Sequence, residues 1–124
     1  MLWLVVKAYA EIARFELYLR RRQFSGLYER VRNCPVATAR SRRVAQDDIC
    51  NAVNLACVFY FKEVLCLQRA ASTTCLLRKA GIAAQLVIGV QQLPFSAHAW
   101  VEVEGAVVND KPYTSEIYSV LSRC

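Results

Sequence analysis

Residues 66–110 read CLQRAASTTCLLRKAGIAAQLVIGVQQLPFSAHAWVEVEGAVVND, and within them the hydrophobic pattern changes from a helical to a strand period. The first part predicts a helix that ends at Gly81, where a glycine suits a left-handed cap. Gln85–Val90 is apolar and rich in β-branched residues, as buried strands are. His98–Val103 and Ala106–Asp110 alternate on either side of an acidic residue and a glycine, which predicts a β-hairpin.

Ahead of this segment the sequence has mainly helical patterns. Apolar residues recur at near-helical spacing over residues 2–32, and Arg20–Arg22 could close a first helix and leave a second over Leu27–Arg32. Two acids suit the first turn of a further helix over about residues 47–60. Gln91–Ser96, which contains a proline, is expected to be an irregular connection between strands. Helices followed by antiparallel strands predict an α+β fold in a chain of 124 residues, the size of one domain.

The net charge of +6 is concentrated in the N-terminal third of the chain. Residues 1–43 contain ten Lys and Arg against three Asp and Glu, whereas residues 44–124 contain six against seven. We therefore treat residues 1–43 as a basic helical segment and residues 44–124 as the core. A nucleic acid, an anionic lipid surface or an acidic protein could bind such a segment, but the arginines could equally lie on a solvated helix face.

Six cysteines are scattered through apolar stretches rather than through short loops. They are Cys34, Cys50, Cys57, Cys66, Cys75 and Cys124. Disulfide frameworks of secreted proteins usually occupy shorter, loop-rich chains that follow a signal peptide. The first residues here, MLWLVVKAYAEIARFELYL, do not resemble a signal peptide, because they lack a basic leading region and contain charges. We therefore expect a reduced, cytoplasmic protein without a transmembrane segment. Because the chain has one histidine and no C-x2-C pair, a metal site is not expected.

Cys66 is the cysteine best placed for chemistry, because it falls at the start of the predicted helix. Free N–H groups and the helix dipole at that position favour a thiolate and could stabilise an oxyanion. His98, the single histidine, is the candidate base for such a thiol. A lone histidine is more often structural, and position alone makes Cys66 only a preference. Cys50 and Cys57 lie in an apolar helix, where free cysteine usually serves as a small hydrophobe.

The register of the hairpin decides whether Asp110 can pair with His98. A two-residue turn would place His98 opposite Lys111 and direct Asp110 to the other face of the sheet. A three-residue loop over Val103–Gly105, with the glycine as a left-handed bulge, would place Asp110 directly opposite His98. We predict the second register, in which the carboxylate fixes the imidazole tautomer. In the alternative interpretation, residues 109–112 are simply a polar strand end and a turn.

Residues 66–110 also contain a series of short motifs in a fixed order: CL-x-R, LLR-x-x-GI-x-A, LVIGV, AHAWVEV-x-G and VVND. With these motifs the chain resembles the transglutaminase-like leader peptidases of lasso-peptide biosynthesis. The resemblance covers the C-terminal two-thirds of the chain, and the basic N-terminus is similar in character only. It implies a transglutaminase- or papain-like core, in which one central helix packs on a small antiparallel sheet.

The resemblance also implies an activity. Carried over by position, it makes Cys66 the nucleophile, His98 the general base and Asp110 the carboxylate that orients the base. The implied enzyme is a cysteine protease that removes the leader from a ribosomally made lasso-peptide precursor through a thioester acyl-enzyme, without a cofactor. The alternatives are a transglutaminase or amide transferase on the same scaffold, and a non-catalytic module that binds the precursor.

The resemblance further implies partners. They are the precursor peptide, a leader-recognition protein and an ATP-dependent lasso cyclase, with no nucleic acid among them. The charge and the surplus apolar surface of residues 1–43 predict that this segment docks the recognition protein or the leader itself.

Overall fold

The computed structural model describes residues 2–38 and 45–124. The described residues form five helices and four strands: α1 Leu2–Arg20, α2 Phe24–Arg32, α3 Gln46–Phe59, α4 Cys66–Lys79, β1 Ala84–Gln92, β2 Phe95–Val103, β3 Ala106–Val108, α5 Thr114–Ile117 and β4 Ser119–Arg123. Four helices precede an antiparallel sheet, and the short α5 leads into the last strand. The predicted α+β class is confirmed.

Helix α4 is the central element, since it contacts α1, α2 and α3 as well as strands β1 and β2. Every residue from Ala70 to Arg78 is buried, although several of them are polar. The hydroxyl groups of Ser72, Thr73 and Thr74 each donate to the carbonyl four residues earlier, at 2.8 to 2.9 Å. These bonds satisfy the hydroxyls inside the helix, so α4 can be buried on all sides. The helix stops at the predicted cap, Gly81, which has a φ of 86°.

The N-terminal helices belong to the same hydrophobic core as α4. Ile12 and Phe15 of α1 and Leu27 of α2 are fully buried in that core. The helical region divides after Arg20, as expected, and α2 begins at Phe24, three residues earlier than predicted.

Residues 39–44 lie outside the described residues, and with them lies the predicted boundary between residues 43 and 44. The division of the chain into a docking segment and a core therefore stays a prediction. Within residues 2–38 and 45–124, no helix has both the length and the apolarity needed to cross a bilayer.

The strands of the described residues form one sheet in the order β3-β2-β1-β4. Ala99 and Val101 of β2 belong to the main core, which also contains the buried residues of α4. On the opposite face, the indole of Trp100 lies over Gly89 of β1, where an added Cβ would come within 2.7 Å of the ring. Because Trp100 is only 2% exposed, both faces of β2 are covered.

The predicted connection over Gln91–Ser96 is wrong. Strands β1 and β2 continue through it and pair as a hairpin, so that only Leu93-Pro94 separates them. Proline suits this position because the missing N–H is not needed by the ladder at a turn.

The predicted three-residue loop between β2 and β3 is also wrong. Glu104 (φ 53°) and Gly105 (φ 78°) form a two-residue turn, and Val103 pairs with Ala106. Two successive positive φ angles are the geometry of a type I′ turn, whose twist matches that of the flanking strands without a bulge. In this register β3 ends at Val108.

Candidate active site

Cys66 is the first residue of α4 and follows Leu65, which is extended. All six cysteines are free, and Cys66 is the exposed one. The N–H groups in the first turn of a helix have no partner within the helix, and the positive end of the dipole lies there. These N–H groups can donate to a negatively charged oxygen that forms next to Cys66.

Gln68 anchors the start of α4 to α1. The residue is 1% exposed, and its Nε2 donates to the carbonyl of Ile12 at 2.8 Å and to Oε1 of Glu16 at 3.2 Å. Its Oε1 accepts the backbone N–H of Leu65 at 3.4 Å. The first turn of α4, and with it Cys66, is therefore held in place by buried polar contacts. The sequence patterns did not indicate this anchor.

Burial makes four of the other thiols poor nucleophiles. It raises the pKa of Cys50 to about 11 and the pKa of Cys75 to about 12. Burial also raises the pKa of Cys57 and that of Cys124. At neutral pH these thiols are protonated, and the thiolate is the nucleophilic form. Cys66 is therefore a better candidate nucleophile than any of the four.

His98 and Asp110 form a hydrogen-bonded pair. His98 Nε2 lies 2.7 Å from Asp110 Oδ2, and the two side chains are 26% and 24% exposed. The other oxygen of Asp110 accepts the backbone N–H of Lys111 at 2.7 Å. Burial acts to raise the pKa of the Asp110 carboxyl, but the hydrogen bonds from His98 and Lys111 and the charge of Arg69 outweigh it, and the pKa is lowered. A carboxylate here keeps the ring proton on Nε2 and leaves Nδ1 as the acceptor.

Asp110 reaches His98 by a route that differs from the predicted one. The observed register would place Lys111 opposite His98 if β3 continued, and the carboxylate would then point to the other face. Instead, β3 ends at Val108 and Asn109 is left-handed, with a φ of 60°. This turn brings the carboxylate back to the imidazole.

Arg69 holds that turn from α4. Its Nη2 donates to the backbone carbonyl of Asn109 at 3.0 Å, to Asn109 Oδ1 at 3.1 Å and to Asn54 Oδ1 of α3 at 2.7 Å. Asn109 Nδ2 donates to Thr73 Oγ1 at 3.3 Å. Sequence reasoning missed these residues. The available signal was the three-residue spacing of Cys66 and Arg69, which places both on one face of a helix.

Two aromatic rings pack against His98. The centroid of the imidazole lies 5.3 Å from that of Tyr118 and 6.1 Å from that of Trp100, and the rings are nearly parallel in both cases. These contacts restrict the rotation of the ring about its side-chain bonds. Tyr118, which follows α5, had no signal in the sequence because a return of the chain through β4 brings it to the site.

Cys66, His98 and Asp110 line one cavity of about 30 Å³. This is on the order of the space that one water molecule occupies. Among the described residues no hydrogen bond joins the Cys66 thiol to the imidazole of His98. The Nε2 atom of that ring is hydrogen-bonded to Asp110. The cavity combines a thiol, an imidazole and a carboxylate around a small space, a set of groups that suits acyl transfer through cysteine. Their catalytic roles stay predictions.

No group of three or more His, Cys, Asp or Glu side chains that could hold a metal ion occurs within residues 2–38 and 45–124.

Comparison with known proteins finds a family and a relative. A family model described as the transglutaminase-like superfamily matches residues 10–123. The microcin J25-processing protein McjB of Escherichia coli is 40% identical over 72 residues, which are 56% of this chain and 34% of that protein. The match thus spans about a third of the length of this relative. No solved structure matches the chain.

Proposed function

The chain belongs to the transglutaminase-like superfamily, and we propose that it is a cysteine peptidase that removes the leader from a lasso-peptide precursor. The observation that carries this proposal is a cavity lined by the exposed Cys66 and by the hydrogen-bonded His98–Asp110 pair. The similar protein is named for the processing of microcin J25, which supports a processing role for this chain.

The proposed reaction proceeds in two stages. Cys66 Sγ attacks the scissile carbonyl carbon while His98 Nδ1 takes the thiol proton, and N–H groups at the start of α4 stabilise the oxyanion. The C–N bond then breaks, His98 gives its proton to the leaving amine of the core peptide, and the leader remains as a thioester on Cys66. Water that loses a proton to His98 attacks the thioester, which releases the leader as a carboxylic acid and restores the thiol.

Asp110 would act on His98 rather than on the substrate. Its carboxylate accepts a hydrogen bond from His98 Nε2–H at 2.7 Å. The backbone N–H of Lys111 and the charge of Arg69 stabilise the carboxylate in its ionised form. It therefore favours the tautomer whose Nδ1 can accept the thiol proton, and it stabilises the imidazolium that follows.

We also propose that residues 1–43 dock the leader-recognition protein or the bound leader, and that the ATP-dependent lasso cyclase is a further partner. The described part of this segment exposes Leu2, Trp3 and Val6 on α1, at 78%, 51% and 61%. It also exposes Arg20 at the end of α1 and Arg21 and Arg22 directly after it. Apolar and basic groups on one segment suit a partner with an acidic and partly apolar surface.

The test combines a lasso-peptide precursor, a leader-recognition protein and this chain, and identifies the products by mass. We expect wild type to give two peptides whose masses sum to that of the precursor plus one water, and we expect Cys66→Ala and His98→Ala to give no cleavage products. Cys34→Ala is the matched control, because it removes a half-buried thiol outside the cavity and should cleave as wild type does. Cleavage that survives Cys66→Ala would sink the proposal.

The same assay separates hydrolysis from transfer. With a primary amine in excess, a hydrolase still gives mainly the free acid, whereas an amide transferase gives mainly the amide of the leader. A dominant amide product would replace the peptidase proposal with the transferase alternative.

A further inference from the structure

Arg69 connects the helix that begins with Cys66 to the turn that carries Asp110. Cys66 and Arg69 are three residues apart in α4, so their side chains project from the same face of the helix. The guanidinium crosses from that face to Asn109, the residue before Asp110, and donates to both of its oxygens at 3.0 and 3.1 Å. One side chain thus spans the distance between the two halves of the candidate site.

Asn109 sets the direction of the chain after β3. Its φ of 60° lies in the left-handed region, which is unfavourable for most residues and which asparagine tolerates better than others. With residue 109 extended, the register of β2 and β3 would direct Asp110 to the face opposite His98. The 2.7 Å contact between the carboxylate and the imidazole therefore depends on the conformation of a single residue.

The contacts of Asn109 make that conformation well determined. Arg69 binds its two oxygens, and Thr73, one turn further along α4, accepts from its amide nitrogen at 3.3 Å. Arg69 is itself held by Asn54 of α3 at 2.7 Å. Its acceptors are neutral amide oxygens, and among the described residues it forms no ion pair with a carboxylate. Its hydrogen bonds therefore hold the turn, and its charge contributes separately to the lowered pKa of Asp110.

We propose that Arg69 is a positioning residue, which fixes Asp110 relative to Cys66 by holding Asn109 in its left-handed conformation. The inference rests on the proposed function for its activity readout. If Arg69 acts in this way, its substitution lowers the rate of the chemical step and leaves substrate binding unchanged, because a displacement of about 1 Å at a reacting group can cost about 100-fold in rate.

The test is a double-mutant cycle on precursor cleavage with kcat and KM measured separately. We expect Arg69→Met to lower kcat by about 100-fold with KM within about two-fold of wild type. In an Asp110→Ala background we expect Arg69→Met to lower kcat by less than about three-fold further, because the carboxylate that Arg69 positions is absent. Independent losses that multiply in the double variant would overturn the proposal.

Three further variants keep the test decisive if Arg69→Met folds poorly. Asn109→Gly retains the left-handed conformation and the backbone acceptor and should keep most of the activity, whereas Asn109→Val should lose about as much kcat as Arg69→Met. Equal activity of the glycine and valine variants would overturn the proposal. Lys79→Met is the matched control, because it removes a cation and an ion pair with Glu11 from the same helix, far from Asn109, and should leave kcat unchanged.

Thiol alkylation separates a failure of this inference from a failure of the proposed function. The rate at which iodoacetamide modifies Cys66, measured as a function of pH, needs no precursor and reports any transfer of the thiol proton to His98. If the precursor is not cleaved but Arg69→Met and Asp110→Ala change this pH profile in the same way, the substrate is wrong and the positioning role is supported. If wild type cleaves the precursor and Arg69→Met leaves both kcat and the profile unchanged, the positioning role is wrong.

Discussion

Gly89 lies in β1 directly against the indole of Trp100, and we predict that Gly89→Ala destabilises the protein. The new Cβ would lie 2.7 Å from Cη2 and 2.9 Å from Cζ3 of Trp100, and 3.0 Å from the backbone oxygen of Ser119. Because carbon atoms pack at about 3.5 to 4.0 Å, the ring would have to move by roughly 1 Å. Trp100 is 2% exposed, so neighbouring groups enclose its ring, and overpacking of this kind costs about 1–3 kcal/mol.

The displaced ring should also affect the candidate site. The indole centroid lies 6.1 Å from that of His98 and 5.9 Å from that of Tyr118, so a shift of the indole reaches the imidazole through direct contact. We therefore expect kcat for each folded molecule to fall together with stability. Urea unfolding followed by circular dichroism measures the loss as a lower midpoint at an unchanged slope, and precursor cleavage below the unfolding transition measures kcat.

Gly26→Ala is the matched control for the same chemical change. Its Cβ would meet Cε1 of Tyr18 at 3.2 Å, and alanine inside a helix is favoured over glycine by about 1 kcal/mol. We expect this variant to be as stable as wild type or slightly more stable. If Gly89→Ala unfolds at the wild-type midpoint, the indole does not occupy the space over Gly89, and the account of how His98 is held would have to be abandoned.

Three other predictions concern charge and ionisation. Because the pKa of Asp110 is lowered in the folded state, its pairing with His98 stabilises the folded protein at pH values above the ordinary carboxyl pKa of about 4. This stabilisation is lost as the pH falls through the lowered pKa of the folded state. The difference in unfolding free energy between wild type and Asp110→Asn should therefore be present at about pH 6 and shrink as the pH falls below about 4, and a difference that grows on acidification would contradict this. In the folded protein near neutral pH, iodoacetamide should modify Cys66 first and leave Cys50 and Cys75 intact, as peptide mapping by mass would record, because burial raises the pKa of both. Charge reversal at Arg21 and Arg22 should weaken binding of the recognition protein, most strongly at low salt, and salt-independent binding would exclude the docking proposal.

Helices α1 to α4 and strands β1 to β3 could be predicted from the sequence because their signals are local. The acids in the first turn of α3, the glycine after α4 and the β-branched run of β1 each act within a few residues of the boundary that they set. The irregular connection predicted at Gln91–Ser96 is wrong because that prediction also rests on a local signal, the proline. A proline usually marks an irregular segment, but here the pairing of Gln92 with Phe95 continues both strands up to it.

The contacts that complete the site could be predicted only in part. The hairpin limits His98 and Asp110 to neighbouring positions, and this is a local constraint. Arg69 and Tyr118 reach the same place through tertiary packing of α4 and β4, which no periodicity records. Gln68 is a comparable case, since a polar residue in an apolar helix is usually expected to face solvent, whereas its bonds to Ile12 and Glu16 satisfy it in the core.

The register error changes which residue the His98–Asp110 contact depends on. In the predicted bulged loop, the left-handed conformation of Gly105 would have placed Asp110 opposite His98. The contact between the two side chains would then have depended on that one glycine. In the observed turn, both Glu104 and Gly105 have positive φ, and an added Cβ at Gly105 meets no atom within 4 Å. The turn thus closes the hairpin without directing Asp110, and the strand ends before that residue. The orientation of the Asp110 carboxylate depends instead on Asn109, which has a strained, left-handed backbone. Side chains of α4, the helix that begins with Cys66, form hydrogen bonds with Asn109 and hold it in this conformation.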